Sequence, residues 1–266
     1  MRLRGHGLRT RFHLRRQDVA AARMFVERHT LATVGVRHAP QLGRILCYHS
    51  VEQPEWGVND LTVERFRQQL DAALDAGYAF VPASQIAREG GSAGQFAITF
   101  DDGARSVLTV AAPILRSYDI PFSAFVVSRW CGGEGGPGPT STMRWDEVVR
   151  LAELGAEIGN HSASHADFAD LTDDEIADQI GGSRDAIERH TGIRTTSFAI
   201  PFGQSGNWPP QASVIGRKLG YDLIYAQAQQ TRPPGTIART FVTHFDSPRI
   251  FRAVLRGRYD RWEEWF

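Results

Sequence analysis

The chain has 266 residues, 42% of them apolar and 10% aromatic, and one large α/β domain fits this length better than two small ones. At 23% charged residues it is not disordered as a whole, and no run approaches the roughly 18 apolar residues of a membrane-spanning helix. Two cysteines, Cys47 and Cys131, exclude a disulfide framework, and without a CxxC pair they give no sign of a thiolate zinc site; one bridge between them stays open.

A formal net charge of zero hides an asymmetry. Residues 1–44 hold ten arginines against Asp18 and Glu27, a balance of +8, so the remainder carries −8. We therefore divide the chain into a basic N-terminal extension, 1–43, and a domain, 44–266. The extension lacks the apolar core of a signal peptide, since arginines at 2, 4, 9, 11, 15 and 16 are followed by no such run. This predicts a cytoplasmic protein, or one at the cytoplasmic face of a membrane. Within the extension, Val19–His29 reads as a short helix with Val19, Ala22, Phe25 and Val26 on one side. Such a helix either lies on a membrane surface as a peripheral contact or packs on the body of the protein. Residues 1–44 are expected to lie outside the main fold and to be dispensable for its chemistry, and no nucleic-acid partner is expected.

Short apolar runs then alternate with amphipathic stretches. Ile45–Tyr48 reads as a buried strand. Thr62–Ala76 is a predicted helix, with Phe66, Leu70 and Leu74 on one face and a stop at Gly77. Phe96–Phe100 is a strand, and Ala104–Tyr118 a helix that Pro113 is expected to break or kink. Strand Pro121–Val127 precedes helix Trp145–Leu154 and the short strand Glu157–Gly159. Thr172 and Glu175 form a capping box opening a helix with Ile176, Ile180 and Ile187. Strand Ser197–Ile200, helix Pro210–Leu219, strand Asp222–Tyr225, strand Ile237–Val242 and helix Arg249–Arg256 complete the series. This alternation predicts a parallel sheet with crossover helices, and about seven such units suit a barrel better than an open sheet. Gly132–Pro139 (GGEGGPGP) lacks the GK[ST] ending of a phosphate-binding loop and reads as a mobile surface loop, or as a lid beside a site.

Two segments carry chemistry. Ile98-Thr99-Phe100-Asp101-Asp102-Gly103 ends an apolar strand in two adjacent carboxylates. Both reach one site only if the chain turns there, which Gly103 permits. The other reading is that they cap the following helix. Gly159-Asn160-His161-Ser162-Ala163-Ser164-His165 places two imidazoles four apart just after a strand. With one carboxylate they would form a His-His-Asp set that leaves positions open for water and a substrate oxygen.

The pattern resembles the polysaccharide deacetylase family, carbohydrate esterases with a nodulation-type deacetylase domain. Thr99-Phe100-Asp101-Asp102-Gly103, His161-Ser162-xx-His165 and Ser197-Phe198-Ala199-Ile200-Pro201-Phe202-Gly203 match its first three motifs in order. Tyr48-His49-Ser50-Val51, followed by Phe66–Tyr78, resembles the branch acting on poly-N-acetylglucosamine. The resemblance covers about Ile45 to Arg256 and implies an α/β fold, a distorted (β/α) barrel with about seven parallel strands. It assigns Asp101 as general base, Asp102, His161 and His165 as ligands of one divalent metal, and the Phe202 backbone N–H as oxyanion donor. Zinc is the foremost metal, with cobalt, nickel, iron or manganese also compatible. Many members carry an arginine where this chain has Ala199; Arg239 is the substitute expected to orient Asp101, unless it forms a structural salt bridge. His244, in Thr243-His244-Phe245-Asp246, is the candidate general acid, and His49 a candidate substrate contact. Trp208 either stacks on a sugar ring or packs its loop. The implied activity is metal-dependent N-deacetylation of an N-acetylated amino-sugar oligo- or polysaccharide. The alternatives are deacylation or deformylation of a lipid-linked sugar, or non-catalytic carbohydrate binding.

Overall fold

The computed structural model describes residues 16–35, 43–138, 140–227 and 232–259. The arginines at 2, 4, 9, 11 and 15 lie outside them. The described residues form ten strands: β1 (Arg44–Tyr48), β2 (Ser50–Val51), β3 (Asp60–Leu61), β4 (Ala79–Phe80), β5 (Gln95–Phe100), β6 (Phe122–Val126), β7 (Glu157–Asn160), β8 (Ser197–Ala199), β9 (Leu223–Tyr225) and β10 (Thr240–Phe241). Seven run in the spatial order β10-β1-β5-β6-β7-β8-β9, with every pairing parallel. A single parallel bridge, Tyr225 to Ile237, joins β9 to the chain leading into β10, so the sheet curls round into a distorted (β/α) barrel. The expected last strand, Ile237–Val242, is thereby split. Its first residue pairs with β9, its later residues pair with β1, and Arg239 stands at the break.

Alternation of side chains along the strands builds two layers. Leu46, Tyr48, Phe96, Ile98, Phe100, Phe122, Ala124, Val126 and Ile158 face outward into the main core, shared with Phe66, Leu70, Val107, Leu115, Val148, Leu151 and Val254 of the surrounding helices. Ile45, Ala97, Phe125, Ala199, Leu223 and Tyr225 cluster on the other side with Ala83 and Ile86. Helix Ala83–Glu89, absent from the sequence expectations, therefore packs on that second layer. Pro113 neither breaks nor stops its helix: a π-turn over Val107–Ala111 leads directly into helix Ala112–Ser117, placing the proline at its start where no N–H is needed. The Thr172/Glu175 capping box is formed as expected.

Helix Arg16–Val34 lies outside the strand ring but is tied to it. Met24 packs with Cys47 and Phe241. Arg28 is fully buried in a bidentate pair with Asp246 and donates to the Phe241 carbonyl at 3.2 Å. Tyr259 donates its hydroxyl to the Arg28 carbonyl. Both cysteines are free and buried. Among the described residues no helix is long and apolar enough to cross a membrane.

Candidate active site

The barrel's functional side chains project from the C-terminal ends of its strands, where parallel α/β folds gather their chemistry. Six non-glycine residues among those described have a left-handed backbone, and four are here: Asp102 (φ 68°), Ser162 (71°), His165 (59°) and Phe202 (62°). Such conformations are costly for side-chain-bearing residues and persist where the surroundings impose them. Asp102 is followed by Gly103 at φ 69°, and this double left-handed turn swings both carboxylates to one side.

Asp102 Oδ1 lies 3.2 Å from His161 Nε2 and 3.3 Å from His165 Nε2, and it is buried without a hydrogen-bond partner. His161 Nδ1 is 2.8 Å from the Ala199 carbonyl. A carbonyl only accepts, so Nδ1 carries a proton. Burial opposes a second proton on Nε2, but the Asp101 and Asp102 carboxylates outweigh it and favour positive charge there, the place a metal cation would take. Lone pairs of a carboxylate and two imidazoles facing one point repel unless a cation sits between them. The spacings also match the roughly 3.3 Å between tetrahedral donors bonded at about 2.0–2.1 Å. The residues thus fit a divalent ion. Burial pushes the His165 imidazole down to about 4, keeping it neutral. Burial disfavours the Asp102 carboxylate, yet the imidazoles of His165, His161 and His49 hold it well below the usual range.

Asp101 has a different environment. Arg239 donates to both its oxygens at 2.6 Å, and Cys47 Sγ lies 3.4 Å from Oδ2. Burial opposes its charge, but Arg239 and then His161 outweigh it, so the carboxyl stays ionised. Cys47, His49 and Asp101 also converge closely enough to suggest a second ion site. The guanidinium already neutralising Asp101 argues against a further cation there. Arg239 thus forms a buried bidentate salt bridge with Asp101.

His49 directly follows β1, with Nε2 3.9 Å from Asp102 Oδ2 and a buried Nδ1 lacking a partner. His244 is not brought to this cluster. Its imidazole is exposed and bonded to the Gly57 carbonyl at 3.2 Å, lining a separate groove with Met24 and Trp56. The cause is a long-range contact: the 54–59 turn captures both the His244 ring and its backbone N–H, which donates to the Val58 carbonyl. Trp208 is buried against Phe168 and Phe198 and donates to Ser213, so it packs its loop rather than meeting a sugar.

Two features went unread in the sequence. Trp130 stacks on His165 at 5.5 Å, opposite Phe202, which meets the same ring edge-on at 4.6 Å. The glycine-rich loop holds that indole in place, since a Cβ on Gly136 would lie 3.2 Å from Trp130 Cγ. Asn160 is the other feature. Its side chain accepts from Ser183 and from the Ser162 N–H, and Ser162 in turn accepts from the His165 N–H, fixing the two-histidine turn. The only local cue was the serine between the histidines.

A barrel with an Asp-His-His set and a second, arginine-paired aspartate at its strand ends has the groups of a hydrolase. The model of the polysaccharide deacetylase family matches residues 89–224, and the chain belongs to that family. It is 31% identical over 108 residues to the peptidoglycan-N-acetylmuramic acid deacetylase PdaC of Bacillus subtilis (strain 168), covering 40% of this chain and 21% of that protein. It is 26% identical over 106 residues to a bifunctional xylanase/deacetylase of Pseudobutyrivibrio xylanivorans, covering 40% and 16%. Across five curated relatives the matched segments span less than half of each protein's length. Among solved structures, the Streptococcus pyogenes deacetylase PplD superposes with a TM-score of 0.68 at 21% identity, over 81% of this chain and 99% of that one. IcaB from Ammonifex degensii gives 0.67 at 23% identity, over 81% and 97%. At these identities the likeness is one of fold.

Proposed function

We propose that the protein is a metal-dependent N-deacetylase of an N-acetylated amino-sugar oligo- or polysaccharide. One observation carries the reading: an unpartnered Asp102 oxygen aimed between two imidazoles, beside a second carboxylate held ionised by Arg239. Asp102, His161 and His165 would hold the ion, and zinc suits that donor set. When bound, the ion polarises the acetamide carbonyl and acidifies a water. Asp101 accepts that water's proton, and Arg239 fixes the plane in which its lone pairs point. The Phe202 N–H, in its left-handed turn, stabilises the developing oxyanion. His49, with Nε2 3.9 Å from Asp102 Oδ2, is assigned as a substrate contact beside the cluster. Half-exposed Phe202 and partly buried Trp130 form an aromatic rim on which a sugar ring can lie.

The test is metal content together with acetate release from chitooligosaccharides and from a panel of lipid-linked acylated sugars. The expected result is one divalent ion per chain and acetate from the oligosaccharides. Turnover confined to the lipid-linked panel would move the substrate assignment, and a stoichiometric ion with no release from either would favour a binding protein. His161→Ala and His165→Ala are each expected to lose stoichiometric metal while keeping the circular-dichroism spectrum of the parent. Full retention of metal in both would refute the ligand set.

A further inference from the structure

We propose that the outward face of helix Arg16–Val34, continued by the arginines of helix Pro248–Leu255, is a docking surface for an anionic lipid bilayer. The inference does not depend on the reaction. Seven large apolar side chains are exposed among the described residues, and four are on this one helix: Val19, Phe25, Val26 and Val34, each 47–73% exposed. Helical spacing sets Val19, Ala22, Val26, Thr30 and Thr33 along one line, opposite the buried Met24 and Arg28. Both threonines behave as apolar groups there. Thr30 donates its hydroxyl to the Val26 carbonyl at 2.8 Å and Thr33 to the His29 carbonyl at 2.6 Å, which leaves their methyl groups to face outward. Arg23, beside the line, is paired with Glu27 at 2.7 Å.

At the helix's C-terminal end the stripe meets positive charge. Thr33 lines a cleft of about 250 Å³ together with Arg249, Arg252, Arg256 and Arg258, and no carboxylate lines it. Arg258 donates to the Ala32 and Thr33 carbonyls, which fixes the cleft against the helix end. Arg249, Arg252 and Arg256 are exposed and have no ion pair or hydrogen bond among the described residues. Three guanidiniums without partners among the described residues, two on the helix and one at its C-cap, have the right chemistry for phosphate groups. The arginines at 2, 4, 9, 11, 15 and 16, in the sequence leading into the helix, add charge of the same sign. A bilayer accounts for both halves of the surface, phosphates for the arginines and the acyl boundary for the valines. A nucleic acid would leave the valine stripe in water.

The experiment uses the full chain and flotation with phosphatidylcholine vesicles, with and without phosphatidylglycerol, at low and high salt. The wild type is expected to partition at least tenfold better onto the anionic vesicles, and less so as salt rises. Arg249→Gln/Arg252→Gln/Arg256→Gln should reduce that partitioning on the order of 100-fold, at about fivefold per arginine. Val26→Gln should reduce it at least tenfold while preserving its salt dependence. All these positions are exposed, so an unchanged melting temperature serves as the folding control. The proposal is overturned if the wild type ignores vesicle charge, or if both variants partition like the parent, which would assign attachment to the arginines before residue 16. It is equally overturned if duplex DNA binds more tightly than the vesicles and the triple variant abolishes that binding.

Discussion

Asp101→Asn is expected to keep its divalent ion and to lose turnover by about 10²–10⁴-fold, the range typical for a missing general base. Asp102→Asn, one residue on, is expected to lose the ion first and turnover as a consequence. The contrast follows from where each carboxylate points. Asp102 Oδ1 faces two imidazole nitrogens, whereas both Asp101 oxygens face Arg239. The asparagine at 101 turns an amide N–H₂ toward a guanidinium, so the variant will melt lower and must be assayed below its transition. The double variant Asp101→Asn/Arg239→Gln removes that donor clash. It should stay as inactive as the single variant and still retain metal. Recovery of turnover in the double variant would show that Asp101 is not the base, and metal loss in Asp101→Asn with retention in Asp102→Asn would reverse the two roles.

Asp246→Ala is expected to lower stability by about 3–5 kcal/mol, because it leaves the Arg28 guanidinium buried without its counter-charge. Asp246 also accepts from the Thr243 N–H at 3.2 Å and its hydroxyl at 3.3 Å, so the turn after β10 loses its own anchor. In a domain of this size the fall in melting temperature should be roughly 6–20 °C. Replacing the pair together, Arg28→Met/Asp246→Leu, removes the unpaired charge and should recover most of the loss. A melting temperature unchanged in Asp246→Ala would show that the pair is not buried in solution. The same contacts revise the expectation that residues 1–44 are dispensable. Deleting through residue 35 uncovers Met24's partners Cys47 and Phe241, one of which is within reach of Asp101.

The ends of β5 and β7 were readable because the signal there is short-range. A strand's alternation reports which side chains share a face, and the chemistry of Asp101-Asp102 and His161-xxx-His165 falls at the point where alternation stops. Arg239 was readable in order along the chain, though not in its bidentate geometry. His244 was misplaced because its direction is decided by the 54–59 turn, far away in sequence, which captures both its ring and its N–H. Trp130 had no local marker, and its position depends on glycines after it and a histidine on another strand end. Trp208 likewise is buried by Phe168 and Phe198. The continuous strand expected over Ile237–Val242 failed for a chemical reason: the ladder breaks where Arg239 turns toward Asp101.

That break also orders events as the chain leaves the ribosome. Asp102, His161 and His165 emerge well before Arg239, so a growing chain holds every ion ligand before it holds the partner of its base. Until the last strand arrives to close the ring, Asp101 has no guanidinium on its two oxygens and its carboxylate is free to turn. An unfinished barrel therefore holds the proposed ligands before it holds the group that aims the proposed base, and the pairing of β10 against β1 completes the set.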